Sequence, residues 1–298
     1  MNSSVHTFHP VADKRVWAFR YKTTVTAFAV VSARYVVLID TLVNAATAQA
    51  MVGALHEPLQ TRQLLVINSH ADWDHCWGNM VFAGSHATHP APIIAHQLCR
   101  ERMLSDEART GLQQKGERDP ATFGTVALVP PTIAFHRELS IDGGDMTFEL
   151  IHTPGHTIDH VSVYVPELRM VFAGDAAETP LPFVPHAAAL PVLRASLEQL
   201  HALNAETVLY CHADSTHADV IQQNRAYFDA VERRVQETIS ARQAVSQHDD
   251  SDLENFISFP FDDVPGVDQL NENERAFYRP AHQAALRAMI EWVQEAVG

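Results

Sequence analysis

The run Ser69-His70-Ala71-Asp72-Trp73-Asp74-His75 places two imidazoles and two carboxylates within six residues. Imidazole nitrogen and carboxylate oxygen together suit zinc, iron or manganese. A solvated polar turn could carry the same residues. This run, however, follows directly on Leu64–Asn68, a short and largely apolar segment that reads as a buried strand. Three more candidates stand at the ends of apolar segments. They are His156 in Thr153-Pro154-Gly155-His156-Thr157, Asp175 after Phe172-Ala173-Gly174, and His212 after Tyr210-Cys211. Each alone reads as a solvated strand end. Four strand ends delivering His or Asp is what a metal site needs, because its ligands converge from separate parts of a chain.

The elements that must position these groups alternate between strand and helix. Thr24–Val31 and Tyr35–Ile39 read as strands joined at Ser32-Ala33-Arg34, and Pro92–Ala95 as another short strand. Glu138–Ile141 and Met146–His152 flank Asp142-Gly143-Gly144-Asp145 as a hairpin; Val161–Val165 and Arg169–Ala173 flank Pro166-Glu167 as a second. Thr207–Tyr210 is a strand, and Asn44–Leu55, Gln97–Lys115 and Leu190–Leu203 read as helices. After Ser215 the pattern turns helical. Val220, Tyr227, Val231 and Val235 share one face, as do Tyr278, Ala281, Ala285, Met289 and Val293. Pro280 fits the first turn of the last helix, and the acidic, Pro-containing stretch Gln247–Pro265 reads as a loop. The mixture implies sheets covered by helices rather than a bundle.

Composition narrows the function classes. A net charge of −15 over 298 residues, with no dense Lys/Arg run, opposes binding to a phosphate backbone, so no nucleic-acid partner is expected. No apolar run reaches the length of a membrane span, and Met1–Lys14 is polar without a signal-peptide core. A cytoplasmic protein with no membrane partner is therefore expected. Three widely spaced cysteines, Cys76, Cys99 and Cys211, form no Cys-x-x-Cys pair and suggest neither a zinc knuckle nor a disulfide framework. Cys76 and Cys211 flank candidate ligands and read as packing residues.

In this order, these elements resemble the metallo-β-lactamase superfamily. Its pattern is His-x-His-x-Asp-His, a Gly-His turn, an Asp at a strand end and a final His. Leu38-Ile39-Asp40-Thr41 resembles the family's early Ile-Asp-Thr segment. Asp74-His75-Cys76-Trp77-Gly78-Asn79, followed by Pro92-Ile93-Ile94-Ala95-His96, resembles a subgroup. The resemblance covers about residues 15–215. It implies an α+β fold, a four-layer αββα sandwich with extra C-terminal helices. Residues 1–215 would form the domain core and 216–298 a helical extension packed on it.

The resemblance also implies two divalent metal ions, zinc first. His70, Asp72 and His156 would hold one; Asp74, His75 and His212 the other; Asp175 would bridge them. Asp40 would orient a ligand imidazole. A hydroxide between the ions would attack an ester-like or amide-like bond of a small-molecule substrate: a lactone, thioester, β-lactam or phosphoester. Asp74 is the catalytic candidate that orients the nucleophile and passes a proton to the leaving group. Trp73 and Trp77 either wall the pocket or belong to the core, and Tyr210 is a candidate for oxyanion help.

The departure from the pattern is Asp72, where the family usually has His. An anionic, harder ligand weakens Lewis acidity and tilts selectivity toward iron or manganese. The flavodiiron members carry a carboxylate, Glu, at this place. The rival readings are therefore a di-iron or mono-iron redox protein and a non-catalytic metal-binding protein. Residues 97–123 and those after Ser215 lie outside the motifs; they shape the substrate cleft, close over it or form a homodimer surface.

Overall fold

The computed structural model describes residues 5–85, 87–212, 216–242 and 253–297. It divides into two compact units, Met1–His152 with Asp159–Gly174, and Thr153–Ile158 with Asp175–Gly298. Residues 216–298 therefore share a unit with residues 175–212, and Ser215 lies outside the described residues.

The first unit holds, in order, β1 (Val5–Phe8), β2 (Val16–Tyr21), β3 (Val25–Val31), β4 (Tyr35–Ile39), α1 (Ala45–Ala54), β5 (Gln63–Ile67), α2 (Trp73–Cys76), β6 (Ile93–His96), α3 (Gln97–Leu104), α4 (Asp106–Arg118), α5 (Pro120–Phe123), β7 (Ile133–Phe135), β8 (Glu138–Asp142), β9 (Thr147–His152), β10 (Val161–Val165) and β11 (Met170–Gly174). Strands β1 to β7 form one sheet in sequence order. Pairing is antiparallel from β1 to β4 and parallel from β4 to β7. The switch to parallel pairing accounts for the apolar character of β4 and β6, since helical crossovers bury such strands on both faces; β5 is buried only at Val66 and Ile67. Strands β8 to β11 pair antiparallel with their sequence neighbours, as the two hairpin turns require. Phe28 on β3 meets Phe172 on β11 inside the core, with ring centroids 5.5 Å apart.

The second unit holds α6 (Ala189–Ala202), β12 (Thr207–Tyr210), α7 (Asp219–Arg242), α8 (Leu253–Ile257) and α9 (Glu272–Val297). The faces of α7 and α9 marked by helical spacing are the buried ones. Among the described residues no helix is long and apolar enough to cross a membrane.

Three local expectations change. The helix expected over 97–115 breaks at Ser105, whose hydroxyl accepts from the Ala108 amide and starts a second helix. Pro280 lies inside α9 rather than in its first turn. The helix begins earlier because Asn271 and Glu274 cap it reciprocally: Asn271 Oδ1 accepts from the Glu274 amide, and Glu274 Oε2 from the Asn271 amide. Within the expected loop 247–265, Leu253–Ile257 is helical; 247–252 lie outside the described residues.

Candidate metal centre

In the first unit the candidate run His70–His75 leaves β5 and turns into α2. Asp40, at the end of β4, has a left-handed backbone (φ 67°) that turns its carboxylate under this run. Its Oδ1 accepts from the Ser69 amide at 2.7 Å. Its Oδ2 accepts from the Ser69 hydroxyl at 2.7 Å and from His75 Nδ1 at 2.8 Å. A carboxylate can only accept, so the His75 proton sits on Nδ1 and the lone pair on Nε2. The single Ser69 proton goes to Asp40, so Ser69 Oγ accepts from His70 Nδ1 at 2.9 Å. The His70 lone pair is therefore also on Nε2. One buried carboxylate thus sets both tautomers, directly for His75 and through Ser69 for His70.

The segment after the motif braces this arrangement. A Cβ on Gly78 would stand 2.1 Å from the Thr41 carbonyl, so only glycine lets the chain pass there. Asn79 Oδ1 accepts from the Thr41 hydroxyl, and Asn68 and Asn79 exchange amide hydrogen bonds at 2.8 and 3.0 Å. His96 is a helix cap: its Nε2 donates to the His136 carbonyl, and its Nδ1 accepts from the Leu98 amide.

Asp72 occupies the cap position of α2, yet its side chain makes no capping bond. Its Oδ1 instead accepts from Arg102 Nη2 at 2.8 Å. Its Oδ2 lies 3.7 Å from His70 Nε2. Asp74 Oδ2 lies 3.9 Å from His75 Nε2.

The second unit gathers the other three candidates. His156 follows Gly155, whose φ is +140° and whose Cβ would lie 2.4 Å from the Leu193 Cα of α6. Ser196, also on α6, fixes this turn by donating to the Pro154 carbonyl at 2.6 Å. Asp175 follows Gly174, where a Cβ would meet His160 Nε2 at 2.5 Å. Asp175 Oδ2 faces His156 Nε2 at 3.6 Å and His212 Nε2 at 3.1 Å.

The donor set fits a divalent ion. Two donors about 2.0–2.1 Å from a tetrahedral ion stand about 3.4 Å apart. The four pairs above, at 3.1 to 3.9 Å, bracket that spacing. Neutral imidazole and carboxylate are ligands of the right type.

Spacing did not mark several residues now seen beside these donors. Glu178 is buried, with a ligand atom within 4.8 Å of those of His156 and Asp175. Burial, and then the charge of Asp175, push its carboxyl above the usual range. The Tyr278 hydroxyl of α9 donates to it at 3.0 Å and stands 3.3 Å from the His212 carbonyl. Phe277, 61% exposed, stacks on the His212 ring, and Phe183 meets the His156 ring edge-on. The Asp175-x-x-Glu178 spacing is a local clue; helical spacing marks Tyr278 only as part of a buried face, and nothing in the sequence marks Phe277.

Other candidates have defined surroundings. Tyr210 donates its hydroxyl to the His217 carbonyl at 2.7 Å, and burial raises its pKa. Trp73 and Trp77 both pack edge-on against Phe123, and Lys115 Nζ lies 3.9 Å over the Trp73 ring. Cys76, Cys99 and Cys211 are buried, and Cys76 Sγ donates to the Asp72 carbonyl at 3.3 Å.

An α+β fold with this donor set defines a class, and the sequence comparison agrees. The profile of the Metallo-beta-lactamase superfamily matches residues 20–212, about two thirds of the chain, and the chain belongs to that superfamily. A metallo-beta-lactamase family protein from Thermus thermophilus shares the fold (TM-score 0.61, 17% identity), over 98% of this chain and 94% of its own. A metallo-beta-lactamase from Pontibacter korlensis does so too (TM-score 0.56, 17% identity), over 74% and 97%. A hydroxyacylglutathione hydrolase from Mesorhizobium japonicum is 37% identical over 81 residues. That stretch is 26% of this chain and 30% of the relative's length.

Proposed function

We propose that the protein is a two-metal hydrolase of an ester-like or amide-like bond. In this reading His70, Asp72 and His156 hold one ion, Asp74, His75 and His212 the other, and Asp175 serves both. The observation that carries it is the single Asp175 oxygen faced by two imidazole nitrogens, at 3.6 and 3.1 Å. Bound divalent ions would supply Lewis acidity and activate water at neutral pH. The chain's own residues do the rest. Asp40 keeps both imidazoles in the ligating tautomer, and Asp74 orients the nucleophile and passes its proton on to the leaving group.

The name of the Mesorhizobium relative puts a glutathione thioester first among test substrates, ahead of lactones, β-lactams and phosphoesters. The test is elemental analysis of protein purified without chelators, together with that substrate panel. Two zinc ions per chain with turnover of a panel member is the expected result. Two iron ions with oxygen or nitric oxide consumption would overturn it in favour of a redox protein. Absence of metal would favour a non-catalytic role.

A further inference from the structure

In the two-metal reading Asp72 stands where the family resemblance expects a His, and a cation stands beside it. Arg102, on α3, reaches two carboxylates at once: Nη2 to Asp72 Oδ1 at 2.8 Å, and Nη1 to Asp159 Oδ1 at 2.5 Å. Asp159 is fully buried, and its other oxygen accepts from the Ala71 amide at 2.9 Å. The carboxylate that anchors Arg102 thus also fixes the backbone between His70 and Asp72. An Asp at a helix cap ordinarily turns its oxygens onto the helix amides. Here Arg102 holds one oxygen away from them, while the other faces His70 Nε2.

We propose that Arg102 is a positioning residue that makes Asp72 a usable metal ligand in place of the usual imidazole. It does so in two ways. It fixes the carboxylate rotamer, so that one oxygen is presented beside His70. It also draws part of the Asp72 charge toward itself, so the ion meets a donor less anionic than an isolated carboxylate. The tilt toward harder ions that Asp72 alone suggests is thereby reduced, and the site retains zinc. A lysine could not replace it fully, because a point charge does not span two carboxylates as a planar fork does. The inference rests on the two-metal reading.

The test is a double-mutant cycle on metal affinity, independent of turnover. Apoprotein of the wild type, Arg102→Met, Asp72→His and the double variant is titrated with zinc and with manganese against a chromophoric chelator. Thermal unfolding is run beside each titration. In the wild-type background, Arg102→Met should weaken the first-site ion about 10–100-fold and shift the zinc-to-manganese preference. In the Asp72→His background the same change should leave affinity unchanged or raise it, since a cation beside a neutral ligand only repels the ion. Arg102→Lys, which keeps the charge near Asp159, should fall between wild type and Arg102→Met and guards against a folding defect. Equal losses in both backgrounds would show that Arg102 acts only through Asp159 and the Ala71 backbone, and would overturn the inference. So would no loss in the wild-type background. Either failure leaves two bound ions in the wild type; failure of the two-metal reading appears instead as a wild type that binds fewer than two.

Discussion

The two units bring their candidate ligands into place by opposite means. In the first, His70, Asp72, Asp74 and His75 come from one short run, held by Asp40, Ser69, Asp159 and Arg102 through hydrogen bonds at 2.5–2.9 Å. In the second, His156, Asp175 and His212 come from three places. There the supports are glycine contacts, the buried Glu178–Tyr278 pair and exposed aromatic rings. A polar, preorganised half stands against a half shaped by packing. Preorganisation by buried hydrogen bonds fixes tautomer and charge. Packing fixes position and leaves an apolar surface beside the ligands.

The comparison breaks first at Asp40. Asp40→Ala strands three donors that converge on one carboxylate, so apparent metal affinity should fall about 100-fold, with several kcal/mol of stability lost. Chelator competition and denaturant unfolding measure both. Unchanged affinity would mean that the tautomers are set elsewhere. In the second unit, Gly155→Ala forces a Cβ into Leu193 at a left-handed position. It should cost about 1–3 kcal/mol and lower turnover by displacing His156, without changing the zinc-to-manganese preference. Denaturant midpoints and metal competition read the two effects; a preference shift would erase the distinction between the halves.

Phe277→Ala should leave stability within about 0.5 kcal/mol, because the ring is largely exposed. It should raise KM about tenfold for substrates with an apolar acyl or aryl group, and little for small polar ones. An equal rise for both would remove Phe277 from substrate contact.

The smallest effect is in pH. His282 is buried, accepting at Nδ1 from Tyr227 and donating at Nε2 to the Phe259 carbonyl, with Glu254 and Arg279 as its charged neighbours. Burial holds its pKa below the usual 6.5. The unfolded chain therefore takes up this proton first, and stability declines as pH falls below about 6.5. His282→Gln should flatten that part of the stability curve; identical slopes would assign the titration to other groups.

Sequence legibility follows the same division. The His70–His75 run, the two hairpins and the strand β5, buried only at Val66 and Ile67, are readable because each is local: His and Asp spacing, turn residues, an apolar run. β1 and β2 went unread because Val5–Phe8 mixes His and Thr with apolar residues and Val16–Tyr21 carries no clean alternation. The start of α9 was legible in hindsight, since Asn271-x-x-Glu274 is a capping-box spacing that outweighed the Pro280 cue. Arg102 was not legible. It is one of three charges on α3, a half-buried helix, and its meaning depends on Asp159, which lies 57 residues away.

Tyr278 carries a consequence in time. Its hydroxyl meets Glu178 across 100 residues of chain. Contacts of that span close late in folding, and during synthesis they wait for the last helix to be made. The side chains that hold the His70–His75 run, Asp40, Ser69, Arg102 and Asp159, all precede His160, so they leave the ribosome long before α9 does. The half around Glu178 must wait, so a ribosome-bound protein would hold the side-chain supports of one set of candidate ligands before those of the other.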